Sequence, residues 1–118
     1  MRYVCVVVAL LVAIVASAQT KLLPQYECSG TTESGKRYQL TLIVKETGAA
    51  LELTWLAAGQ TAFVGFGVRK GDTIAAMFAD GKQVSVVLYE VKAGQLIGWG
   101  PGTGGTLQQE LCLAGKPV

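Results

Sequence analysis

The chain has 118 residues, with 10 basic and 8 acidic side chains, no histidine and no asparagine, for a formal charge of +2 at pH 7. That length makes one domain, and the near-neutral, interspersed charge argues against nucleic acid as a partner, since Arg69-Lys70 is only a pair beside a turn. Without histidine there is no Ser/His/Asp or Cys/His nucleophile and no histidine zinc site, and the eight scattered carboxylates read as solvated with no glycosidase-like pair; no enzyme activity, cofactor or metal is expected.

The chain starts with Arg2 and an unbroken apolar run from Val4 to Ala16, closed by the small-x-small triplet Ala16-Ser17-Ala18. This is the pattern of a secretory signal peptide cut before Gln19. The run is shorter than the roughly 18 residues a membrane anchor needs, so no membrane span is expected once it is removed. Cys5 lacks a lipid-attachment context, because no apolar region precedes it. The expected organisation is therefore a signal peptide over 1–18 and a single β-barrel domain over 19–118. The product is exported, to the periplasm or the medium, and its net charge falls to +1 when Arg2 leaves.

After Gln25, apolar residues recur with period two and each run ends at a glycine-containing pair, which predicts a β-meander with no helix. Tyr26 and Cys28 mark the first strand. Tyr38, Leu40, Leu42 and Val44 alternate with Gln39, Thr41, Ile43 and Lys45 in the second, which ends at Thr47-Gly48. Leu51, Leu53 and Trp55 mark the third, and Ala58-Gly59 turns into a fourth over 61–69, where Phe63, Phe66, Gly65 and Gly67 are expected to share one crowded surface at a bend or bulge. Lys70-Gly71 leads to a fifth strand over 73–79, and Asp80-Gly81 is the strongest hairpin signal in the chain. Strands over 84–91 and 95–99 follow, separated by Ala93-Gly94. Gly98 to Gly105 reads as a hairpin loop, because it lacks the Lys-Ser/Thr and helix of a phosphate loop, and 106–113 closes the set.

Eight short strands without a crossover helix predict an all-β, antiparallel up-and-down barrel, closed or nearly closed, of calycin or avidin type. Cys28 and Cys112, on the first and last strands, would then bridge the closing seam. Closing so long a loop stabilises by roughly 4 to 5 kcal/mol on the chain-entropy model. An intermolecular bond or a reduced pair are the competing readings.

The aromatic set Tyr38, Trp55, Phe63, Phe66, Phe78, Tyr89 and Trp99 is the remaining functional signal. These side chains either line a ligand cavity at one barrel mouth or simply fill the barrel. Trp55, Trp99, Phe63, Phe66 and Tyr89 are the candidate ligand-binding residues.

Leu53-Thr54-Trp55, Gly65-Phe66-Gly67, Lys70-Gly71, Val87-Leu88-Tyr89, Gly94-Gln95-Leu96-Ile97-Gly98-Trp99 and Glu110-Leu111 together resemble a group of small exported bacterial proteins commonly labelled fibronectin-binding protein. The resemblance covers most of the chain after residue 18 and implies a barrel fold and an exported, non-enzymatic binding role, adhesin-like, toward a host matrix protein such as fibronectin. Trp99 comes one residue earlier than in that group's pattern, which on a regular strand turns its ring to the opposite face. Two other readings are a carrier of a small hydrophobic ligand and a periplasmic inhibitor of a lysozyme-type enzyme. The inhibitor reading rests on Tyr26-Glu27-Cys28 with a late cysteine, but Ser34-Gly35-Lys36-Arg37-Tyr38 lies too early for an inhibitor loop. No feature of the sequence fixes an oligomeric state.

Overall fold

The structure, a computed structural model, describes residues 19–32, 34–101 and 106–115. The signal peptide expected over 1–18, together with Glu33 and the loop glycines Gly102, Gly104 and Gly105, lies outside the described residues.

Period-two patterning becomes eight strands: β1 (Gln25–Thr31), β2 (Arg37–Thr47), β3 (Ala50–Ala57), β4 (Gln60–Lys70), β5 (Thr73–Asp80), β6 (Gln83–Lys92), β7 (Gln95–Pro101) and β8 (Leu107–Ala114). Each pairs antiparallel with the next, and β1 pairs with β8, so the sheet closes into the barrel expected from the sequence. Cys28 stands opposite Cys112 at that seam, and the two are disulfide-bonded. Both face the barrel interior and are wholly buried, so the staple is an internal one.

Turn chemistry differs from the sequence reading in a consistent way. Thr47, Lys70 and Asp80 end strands, and the two-residue loops are Gly48-Ala49, Gly71-Asp72 and Gly81-Lys82. In each the glycine comes first with positive φ, as a loop requires when only its first residue is left-handed. At Ala58-Gly59 both residues have positive φ, 51° and 81°, and Ala58 is the one non-glycine in that region among the described residues.

Leu42, Val44, Leu51, Leu53, Ile74, Val91 and Leu96 pack the interior toward the end where β1 begins and β8 finishes. The segment before β1 caps that same end. Leu22 is buried in the core, Leu23 N–H donates to Tyr26 Oη at 2.8 Å, and Val44 N–H donates to the Pro24 carbonyl at 2.9 Å. Arg69 holds the strap down. Its side chain is 7% exposed, donates to the Thr20 carbonyl and pairs with Asp72 at 2.9 Å, and the Asp72 carboxylate accepts both Thr20 N–H and Oγ1–H. Arg69 is thus more than a residue beside a turn: the strap supplies the Thr20 carbonyl and the turn supplies the Gly71 carbonyl and Asp72 as its acceptors.

The glycines of β4 also differ from expectation. The register irregularity falls beside them, where Trp55 pairs with Phe63 but Leu56 with Thr61, leaving Ala62 as the extra residue. Gly65 and Gly67 instead bring β4 close to β5, since a Cβ at Gly65 would sit 2.2 Å from the Met77 carbonyl oxygen. Phe66 does not share their surface: odd spacing from Gly65 turns it outward, where it is 66% exposed.

Candidate functional site

The opposite end of the barrel is hollow. Where β1 runs into β2 and β7 into β8, a cavity of about 450 Å³ opens between the strand ends. Leu40, Trp55, Phe63, Phe78 and Val87 supply its apolar wall, and Thr32, Ser85 and Gln108 lie nearer the rim. Phe78 stands at the centre of the aromatic wall, its ring 5.1 Å from both Trp55 and Phe63 in tilted contact.

The polar part of the site comes from one cross-strand row. Tyr38 pairs with Gly30, Gly30 with Glu110, Glu110 with Gly98, and Gly98 with Tyr89. Glu110 thus has a glycine on each side and a tyrosine beyond each glycine. The glycines are needed for room: a Cβ at Gly30 would lie 2.4 Å from Tyr38 Oη, and one at Gly98 would lie 2.7 Å from Tyr89 Cε1. Each tyrosine therefore lies flat across its glycine and reaches the same carboxylate. Tyr38 donates to Glu110 Oε2 at 2.8 Å and Tyr89 to Oε1 at 3.1 Å, while Trp55 Nε1–H donates to Tyr89 Oη at 3.3 Å.

Burial pushes the Glu110 carboxyl above the ordinary carboxylate range, and the two tyrosine donors only partly offset it. Burial, reinforced by the Glu110 charge, pushes both tyrosine hydroxyls up as well, so they remain protonated donors. Among the described residues no lysine or arginine forms an ion pair with Glu110. Cys112 Sγ lies 3.4 Å from Oε1, but as a disulfide sulfur it carries no proton. Cys28, Cys112 and Glu110 have ligand atoms within 4.8 Å of one another, yet neither sulfur is a thiolate, so this cluster is not a metal centre.

Of the five candidate ligand-binding residues, the structure gathers Trp55, Phe63 and Tyr89 at the cavity. Phe66 and Trp99 stand outside it. Trp99 follows inward-facing Gly98 and pairs with exposed Leu88, so its ring lies on the outer face, as its early position implied. Tyr38 and Phe78, from the wider aromatic set, take their places. Val86 is also outward, 45% exposed, and borders the cavity at its edge.

Glu110 is the residue the sequence reading missed, having been grouped with solvated carboxylates. The signal was present in its spacing: Glu110 lies two residues before Cys112 and Gly30 two after Cys28, so both share the face of the inward cysteines. No family model, curated protein or solved structure matches this chain.

Proposed function

We propose that the chain is an exported, non-enzymatic binding protein that takes a small, largely apolar ligand into its aromatic mouth. The observation that carries this reading is the cavity itself, whose volume of about 450 Å³ falls within the range of small-molecule sites, beside an otherwise packed interior. One strapped end and one hollow end describe a container. The Cys28–Cys112 bond supports an oxidising compartment, and export belongs to the proposal on that ground. The test is ligand binding to the disulfide-bonded chain, read by the Trp55 indole N–H resonance, in the wild type and in Ser85→Trp. Ser85 lines the mouth, so a tryptophan there fills it. Saturable shifts in the wild type that vanish in Ser85→Trp support the reading; unchanged binding by the filled variant places the ligand elsewhere and overturns it.

A second reading has its own observation. The outer face of β4 to β6 carries Val64, Phe66, Val68, Met77, Val86 and Leu88 at 45–66% exposure, whereas the outer face of β1 to β3 carries Glu27, Thr41, Lys45, Glu52 and Thr54. A contiguous apolar face of this kind suits a protein partner, which keeps the adhesin-like expectation open as a proposal. Saturable binding of fibronectin, weakened by Phe66→Ser, supports it; no binding removes it.

A further inference from the structure

From the position of Glu110 we infer that the ligand of the mouth is a small organic cation, an ammonium group on an apolar body, with Glu110 as its counter-ion. The inference rests on the ligand-pocket reading above and names the chemistry it selects.

The carboxylate borders the cavity but has no cationic partner among the described residues. Holding a charge away from water without a partner is costly. Two glycines make the room that lets both tyrosines converge on this acid, one on each oxygen, without any cationic side chain among the described residues joining them. Tyr38 and Tyr89 each use one lone pair, one on each oxygen, and a carboxylate has about four acceptor sites, so capacity remains for a donor arriving from the cavity.

The walls suit the same guest. Trp55, Phe63, Phe78, Tyr38 and Tyr89 present aromatic surface around the approach, and aromatic faces attract cations while an apolar body packs against their area. An anion would meet the Glu110 carboxylate at the base of the cavity, with only the neutral donors Thr32, Ser85 and Gln108 near the rim. A neutral guest would leave the acid unpaired.

Among the described residues, the groups in contact with Glu110 that could titrate are Tyr38 from β2, Tyr89 from β6 and the Cys28–Cys112 sulfurs of β1 and β8, with Gly30 and Gly98 offering none. Neither tyrosine titrates near neutrality, because burial pushes both hydroxyls up, and the disulfide does not titrate. Among these groups only Glu110 takes up a proton in the acid range, so acid should weaken binding of the cation as the carboxylate is neutralised.

The experiment uses three probes of matched shape, 4-phenylbutylammonium, 4-phenylbutanol and 4-phenylbutyrate, titrated into the disulfide-bonded chain and followed by the Trp55 indole N–H. The ammonium should bind about tenfold or more tighter than the alcohol, a difference of about 1.4 kcal/mol, with the butyrate weakest. Glu110→Gln keeps the shape, with its carbonyl oxygen accepting from one tyrosine and its amide N–H donating to the oxygen of the other, and should remove the preference, so that ammonium and alcohol bind alike. Acidification should do the same to the wild type. If the alcohol binds as tightly as the ammonium, the cation inference fails and the pocket reading stands. If no probe binds, both fail.

Discussion

Removing the seam disulfide is the most quantitative test of the barrel's construction. Cys28 and Cys112 are 84 positions apart, and the chain-entropy relation for a loop of that length gives about 15 cal/mol/K, or about 4.6 kcal/mol at 25 °C. Both residues are wholly buried, so Cys28→Ala with Cys112→Ala also leaves a small void and adds to the loss. At 4 to 8 °C per kcal/mol for a domain of this size, the melting temperature should fall by about 20 to 35 °C. Urea unfolding of both proteins, followed by far-ultraviolet circular dichroism, measures the difference. The double variant should also show the larger m-value, because its unfolded chain is unlinked and more expanded. A loss below about 2 kcal/mol with an unchanged m-value would refute the reasoning, since it would mean that the first and last strands stay together in the unfolded ensemble without the bond.

Gly98→Ala should drive a methyl group into the Tyr89 ring, break its contact with Glu110 and cost about 1 to 3 kcal/mol by thermal melting; a neutral outcome would mean that the row of tyrosines and glycines is not tightly packed. Ala58→Asn should do the opposite. It places Asn-Gly in a turn where both residues have positive φ and should raise stability by about 0.5 to 1 kcal/mol, and a drop in melting temperature would contradict the turn geometry.

The barrel was legible because each strand obeys period two and each turn carries glycine. Closure was legible because cysteines mark the first and last strands. Face assignment was harder. Phe63 and Phe66 differ by three positions, so one strand cannot turn both inward, and aromatic identity obscured that parity. Arg69 reads from the sequence only as a turn flank, because the Thr20 carbonyl that covers it comes from a strap with no periodic signal of its own, while Asp72 lies in the turn itself. The site was partly legible for a related reason. The sequence shows which aromatics exist, but the hollow follows from what is small around the barrel: glycines at 30, 98 and 100 and serine at 85 sit toward the mouth, while Leu22 fills the other end.

Glu110 brings these lines together in one further expectation. Its folded-state pKa is raised above the ordinary 4.5 because burial outweighs the two tyrosine donors. Between the unfolded and folded values the native chain holds a proton that the unfolded chain has lost. The stability tied to this group is therefore fully present below the unfolded pKa and declines as pH rises through the folded one. Glu110→Gln, neutral at every pH, should accordingly gain in melting temperature relative to the wild type as the pH rises from 4 to 8. Parallel melting curves across that range would refute the burial argument. A positive result would mean that the ligand-free chain is destabilised by the ionised acid at its mouth, and a cationic guest would relieve that cost by supplying the missing charge. The same guest should raise the melting temperature of the wild type more than that of Glu110→Gln, which links the stability of the row to the chemistry of the pocket.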